Sequence, residues 1–171
     1  MHHSLVQRPA EQMADAPVVI EQEISLEATP DEAFEVLADH RSWPRWFKGM
    51  RRARIDGAAA GAGAIRTVWV GPARVQEQFV AWRPGERLTF DVVDTNLPGV
   101  LAMQEDWSLE PDGPDRSTLT VRVTAEPSGP FRAAPWLLRR ILRRSTRGAA
   151  GLADVFRDKA RPERLRVSAG R

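Results

Sequence analysis

The chain has 171 residues, 42% hydrophobic and 28% charged, with a net charge of +2, an ordinary globular composition large enough to bury a sizeable core. It has no cysteine, which excludes disulfides, thiolate nucleophiles and thiolate metal sites. No apolar run approaches the roughly 20 residues of a membrane span, and no apolar signal core opens the chain, so the expected location is cytoplasmic.

Residues 1–16 are polar and without a period, and read as a disordered segment. Val18 to Leu26 alternates as a first strand. Thr29-Pro30-Asp31-Glu32 carries the signals of a helix start: a capping threonine, proline at the first helical position and the glutamate of a capping box. The helix runs to about Ala38, with Ala33, Phe34 and Leu37 on one face. A bulky corner follows, Trp43-Pro44-Arg45-Trp46-Phe47, with Ser42 placed to cap a second short helix. Proline stiffens this corner, and the indoles need a surface to pack on.

Strand-like segments come next: Arg51 to Asp56, Ala64–Val70, Ala73–Trp82, Arg87–Asp94, Val100–Leu109 and Ser117–Ala125. The Gly71-Pro72 and Arg83-Pro84-Gly85-Glu86 turns join neighbours by short connections, which makes them antiparallel. The last element is a long helix from about Ala133–Pro135 to Asp158. Its period places Leu138, Ile141, Leu142, Ser145, Ala149, Leu152 and Phe156 on one face and Arg139, Arg140, Arg143, Arg144 and Arg147 on the other. Trp136 falls on the arginine face and is expected to close a pocket mouth with Phe131. Residues 132–171 hold twelve Lys or Arg against three Asp or Glu, a balance of +9, so the rest of the chain carries −7.

This order of elements resembles the START-like, helix-grip (SRPBCC) superfamily, and within it the polyketide cyclase/dehydrase-type proteins. The pieces that carry the resemblance are Ala28-Thr29-Pro30-Asp31-Glu32-Ala33-Phe34, the Trp43–Phe47 corner, Gly61-Ala62-Gly63, the Arg-Pro-Gly-Glu-Arg-Leu entry to a strand and Trp107-Ser108-Leu109-Glu110-Pro111. It spans roughly Ile20 to Phe156. It implies an α+β fold in which a curved antiparallel sheet of six or seven strands wraps around the C-terminal helix, with two short helices after the first strand. The domain would cover 17–160, with a basic tail at 161–171. The resemblance also implies an apolar cavity for a lipid, sterol, polyketide or other hydrophobic molecule. Members include enzymes, carriers and regulators, and no shared catalytic motif can be carried over.

Strand parity points to the cavity wall. In Val100–Leu109 the apolar set is Leu101, Met103, Trp107 and Leu109, with Glu105 as its odd member. In Ala73–Trp82 it is Val75, Phe79 and Ala81, with Glu77 as the odd member. Two carboxylates would then face one cavity, roughly 10 Å apart across two strand spacings of ~4.8 Å. A buried carboxyl has a raised pKa and can act as a general acid or base, which makes Glu77 and Glu105 weak catalytic candidates. Alternatively, a bulge reverses the parity, or either glutamate pairs with an arginine such as Arg66 or Arg74. The expected lining is Thr67, Trp69, Glu77, Phe79, Phe90, Val92, Met103, Glu105 and Trp107 from the sheet, with Leu138, Leu142 and Phe156 from the helix. Thr67, Glu77 and Glu105 would orient a guest.

His40 is the only histidine inside the domain and follows Asp39 in a helix-end turn. Without further ligands at metal spacing it supports neither a metal site nor a catalytic triad. No metal and no cofactor are expected. The arginine face reads as a solvated surface or as a peripheral contact to an anionic membrane; scattered aromatics disfavour nucleic acid. Three functions remain open: binding of a hydrophobic or amphipathic small molecule, a polyketide cyclase/aromatase-like reaction, and an interaction module built on the basic helix.

Overall fold

The computed structural model describes residues 3–158. One antiparallel sheet dominates, with β2 (Val18–Leu26), β3 (Met50–Ile55), β4 (Ile65–Val70), β5 (Ala73–Arg83), β6 (Arg87–Thr95), β7 (Val100–Pro111) and β8 (Ser117–Pro127) in the order β2-β8-β7-β6-β5-β4-β3. A two-residue strand, β1 (His3–Ser4), pairs with β6 off this path. The sheet wraps the C-terminal helix α4 (Pro135–Thr146), and two short helices, α2 (Pro30–Ala38) and α3 (Trp43–Trp46), follow β2. This is the α+β helix-grip architecture. The capping box at Thr29 forms as read: Thr29 N–H donates to Glu32 Oε2 at 2.9 Å, and Glu32 N–H to Thr29 Oγ1 at 3.3 Å.

The Trp-Pro-x-Trp corner joins the short helices to the core. Trp43 Nε1 donates to the Leu37 carbonyl at 2.8 Å. The Trp43, Trp46 and Phe47 rings pack against Trp107 of β7, with the Trp43 and Trp107 centroids 4.8 Å apart. Ser42 makes no side-chain cap; its hydroxyl donates to the Asp39 carbonyl and receives Trp46 Nε1–H.

The corner also explains why the last helix is not one continuous piece. After α4 a 3-10 turn (Arg147–Ala150) intervenes, and residues 151–158 are helical again. Gly148 lies against the Lys48 carbonyl and the Phe47 ring, and Gly151 against the Trp46 carbonyl, so closely that a Cβ at either would overlap them. Lys48 N–H donates to the Gly148 carbonyl at 3.1 Å. The tighter turn lets two glycines, three residues apart, bring backbone to backbone. Leu138, Leu142, Ala149, Leu152 and Phe156 are buried as expected, but Ile141 is 41% exposed.

Residues 3–16 depart from the expected disorder. Beyond Phe90 and Asp91 the ladder between β6 and β7 ends, and the chain start fills the split. Leu5 N–H donates to the Val93 carbonyl on β6, and Val6 N–H to the Leu101 carbonyl on β7. α1 (Ala10–Ala14) then sets Met13 against Ala102 on the outer face of the sheet. Two isolated anchors, Leu5 and Met13, have no period to detect, and open sheet edges supply the order. The basic tail expected at 161–171 lies outside the described residues.

Gly151→Ala should destabilise the fold by about 1–3 kcal/mol or more, because rigid backbone atoms occupy the space of its new methyl. Thermal or denaturant unfolding measures this; an unchanged midpoint would contradict the close approach.

Candidate functional site

A cavity lies between the sheet and α4. Its walls come from β4 to β7 (Val68, Val75, Val92, Met103), from Trp43 at the corner, and from Leu142 on the helix; Leu5 and Leu97 close the end near the β6–β7 split. Ser145, exposed on α4, stands at its mouth. About 60 Å³ is open to the centres of water molecules. At roughly 10–15 Å³ per water that is room for a handful of waters, so the cavity as it stands suits a compact guest.

Its polar groups are Arg66, Glu77, Glu105, Thr95 and the mouth hydroxyls Ser145 and Thr146. Arg66 is only 1% exposed. Its Nε donates to Glu77 Oε2, and its Nη1 lies 3.1 Å from His40 Nδ1. Arginine has donors only, so Nδ1 accepts and the imidazole proton sits on Nε2. The guanidinium lies over the Trp43 ring, 3.7 Å from its centroid, with Phe90 and Phe79 at 4.9 and 5.1 Å. His40 is wedged against Phe79 and Trp82, with centroids at 4.8 and 5.4 Å. Among the described residues, Arg66 Nη2 and His40 Nε2 have no hydrogen-bond partner.

Burial, reinforced by the Arg66 charge, pushes the His40 pKa down to about 3, so it is neutral. Burial also raises the Glu77 carboxyl, opposed by the guanidinium in direct contact with it. Glu105 receives Trp107 Nε1–H at 3.1 Å and has no ion pair among the described residues. Burial and then the neighbouring Glu77 push its pKa up to about 7. One buried cation thus serves two carboxyls. Both carboxyls are raised by burial and titrate as a pair; Glu105 is the member without the direct arginine contact.

Of the expected lining residues, the structure brings together Glu77, Phe90, Val92, Met103, Glu105 and Leu142. Phe79, Trp107, Leu138 and Phe156 are buried in the core but do not border the cavity. Thr67 and Trp69 lie on the opposite face of β4. Thr67 Oγ1 donates to Asp56, and Trp69 packs under Arg52 and Arg54 of β3. The alternate set Arg66, Val68 and Val70 faces the cavity instead. Two further parities change at bulges. The register slips between Phe79 and Ala81, which turns Trp82 inward against Phe34 and Phe79. It slips again between Val100 and Ala102, so Val100 and not Leu101 borders the cavity. Trp136 is 66% exposed and does not close the mouth. His40, which supports neither a metal site nor a triad, lies behind this wall and contacts the cavity's Arg66. Arg66, expected only as a partner for a glutamate, pairs with Glu77 and is itself a wall residue. Among the described residues no group of three potential metal ligands forms. None of the helices there is long and apolar enough to cross a membrane.

A curved sheet gripping a helix over an apolar cavity with a few polar groups defines a START-like ligand-binding protein. The model of the family described as polyketide cyclase / dehydrase and lipid transport matches residues 17–157, and the chain belongs to this family. An uncharacterised protein of Mycobacterium tuberculosis is 31% identical over 129 residues, covering 74% of this chain and 77% of the relative. Among solved structures, a START superfamily protein from Mycobacterium smegmatis superposes with a TM-score of 0.68 at 13% identity, covering 82% of this chain and 97% of that one. The ZhuI aromatase/cyclase from Streptomyces sp. R1128 gives 0.66 at 17% identity, covering 89% and 97%. Norcoclaurine synthase from Thalictrum flavum, in complex with dopamine and hydroxybenzaldehyde, gives 0.63 at 16%, covering 88% and 93%. At these identities the solved structures establish the shared fold alone.

The raised Glu105 carboxyl makes stability depend on pH. The folded state keeps a proton that the unfolded chain, with a pKa of 4.5, releases. This contribution is complete below pH 4.5 and is lost as pH rises through about 7, about 3 kcal/mol in all. His40 acts in the opposite sense: its neutral form is stabilised, and that contribution is lost as pH falls from 6.5 to about 3. Comparing Glu105→Gln with wild type isolates the first effect. The two should match in acid, and the variant should be the more stable above pH ~7. Denaturant midpoints across pH measure the difference, and parallel profiles would refute the raised pKa.

Proposed function

We propose that the cavity binds a small amphipathic molecule, its apolar body on the valines, Phe90 and Met103, and a neutral hydrogen-bond acceptor turned toward Glu105. The observation that carries this reading is Glu105, a carboxyl on the cavity wall with no ion pair among the described residues; burial raises its pKa to about 7, so a large fraction of it is protonated, hence a donor, near neutral pH. A full anionic head would meet Glu77 and any ionised Glu105, so a hydroxyl, ketone or ester suits the site better than a phosphate. Met103, unbranched and half-buried, and Leu97, in the β6–β7 loop, are the side chains whose movement would admit a larger lipid or polyketide.

A second reading is favoured by the same carboxyl. A pKa near neutrality is the range in which a side chain both gives and takes a proton, as a cyclase-like dehydration or aldol step requires. Fold likeness to an aromatase/cyclase agrees with this reading but does not decide it.

Trp43 borders the cavity and makes tryptophan emission a reporter. Titration with fatty alcohols, sterols and aromatic polyketide analogues should quench it for at least one class. Affinity should fall about tenfold between one pH unit below and one above the Glu105 pKa of about 7, as the protonated fraction falls. Glu105→Gln should flatten this dependence. Ser145→Trp, a change at an exposed position, should block entry without lowering the melting temperature. Guests that no class supplies, or binding indifferent to Ser145→Trp, would sink the cavity reading. Conversion of a bound analogue, abolished by Glu105→Gln, would favour the enzyme.

A further inference from the structure

Helix α4 has a second face that the cavity does not use. At roughly 100° per residue, Arg139, Arg140, Arg143, Arg144 and Arg147 fall within one arc of the exposed side, and Trp136 lies near its centre. The structure keeps all five arginines exposed, and none of them has a carboxylate partner among the described residues. Elsewhere on the molecule arginines are commonly paired: Arg8 with Glu126, Arg74 with Asp94, Arg87 with Asp106, Arg122 with Glu21. An unbalanced run of five is therefore not how this chain solvates its arginines in general.

The stripe is not purely charged. Trp136 is 66% exposed, and Leu137 and Ile141 are 38% and 41% exposed along one shoulder of it. These are three of the five large hydrophobic side chains exposed among the described residues. Trp136 borders a shallow groove together with the five arginines. Solvation alone explains the arginines but not an indole held in their midst beside two aliphatic side chains.

We propose that this face docks the protein on an anionic lipid surface. Arginines meet the headgroup phosphates, Trp136 settles at the headgroup level, and Leu137 and Ile141 reach the acyl boundary. A single-stranded nucleic acid would instead ask for several aromatic platforms among the arginines, and this face has one. The proposal does not depend on what fills the cavity. Its geometry nevertheless has a consequence: α4 also carries Leu142, Ser145 and Thr146, so docking sets the cavity's own mouth helix at the bilayer.

The test is co-sedimentation of the full chain with vesicles of phosphatidylcholine alone and of equal parts phosphatidylcholine and phosphatidylserine. Sedimentation with the mixed vesicles only, weakening as salt is added, is expected. Replacing Arg140, Arg143 and Arg147 together by alanine should lower the partition coefficient roughly a hundredfold. Trp136→Ala should lower it further at high salt, where the electrostatic part is screened. All four positions are exposed, so the melting temperature serves as the folding control. Equal sedimentation with phosphatidylcholine alone, or a triple variant that partitions like wild type, would overturn the proposal. So would tighter binding of a single-stranded RNA that strips the protein from the vesicles. Because the readout needs no cavity guest, loss of vesicle binding would leave the cavity reading, tested by tryptophan quenching, untouched.

Discussion

Arg66 is 1% exposed, and its charge must be balanced without water. Glu77 supplies the counter-charge across the β4–β5 ladder, His40 accepts from Nη1, and the Trp43, Phe79 and Phe90 rings provide the remaining surroundings. Removing one partner of such a pair would leave the other charge stranded, at a cost of about 3–5 kcal/mol. The rest of the site follows from this balance. With Arg66 committed to Glu77, Glu105 has no cation of its own, and its carboxyl keeps a proton to about pH 7. Buried, and with the Arg66 charge beside it, His40 stays neutral and is a structural neighbour of the cavity, not a base facing it.

The cavity persists because the elements around it are held from outside. The Trp43–Phe47 corner presses on Trp107 from one side and on Gly148 and Gly151 from the other. It thereby fixes the distance between the sheet and the last helix. Leu5 and Val6 span the split where β6 and β7 part, each donating one backbone hydrogen bond where the ladder has ended. Helix α4 then divides its surface between two tasks. Leu138, Leu142 and Thr146 turn inward, and the arginines turn outward beside an exposed indole. Family membership fits the inward face.

On β4 the chain itself carries the information that turns Arg66 inward. Ile65-Arg66-Thr67-Val68-Trp69-Val70 has two apolar residues in each alternate set, and the set with the arginine looks the less buried. Hydrophobicity alone therefore favours Thr67 and Trp69. The two-residue Gly71-Pro72 turn decides otherwise: it pairs Val70 with Ala73, Val68 with Val75, and hence Arg66 with Glu77. If Glu77 faces inward, Arg66 must do so too, and Thr67 and Trp69 must face out. The bulges past Phe79 and Val100 have no comparable local signature, because the slip depends on the neighbouring strand.

Local chemistry determined the elements themselves. The capping box set the start of α2, short turns made neighbouring strands antiparallel, and the 3.6-residue period divided the last helix into an apolar and a basic face. Alternation placed Glu77 and Glu105 on the apolar side of β5 and β7, since a period of two is a property of the strand alone. Only the tertiary structure decided what those carboxyls meet. His40 reaches Arg66 from 26 residues away, and Leu5 from the chain start borders the same cavity. A side chain's pKa depends on burial and on charges brought near by folding, so neither the proton on Glu105 nor the neutrality of His40 is written in the residues beside them.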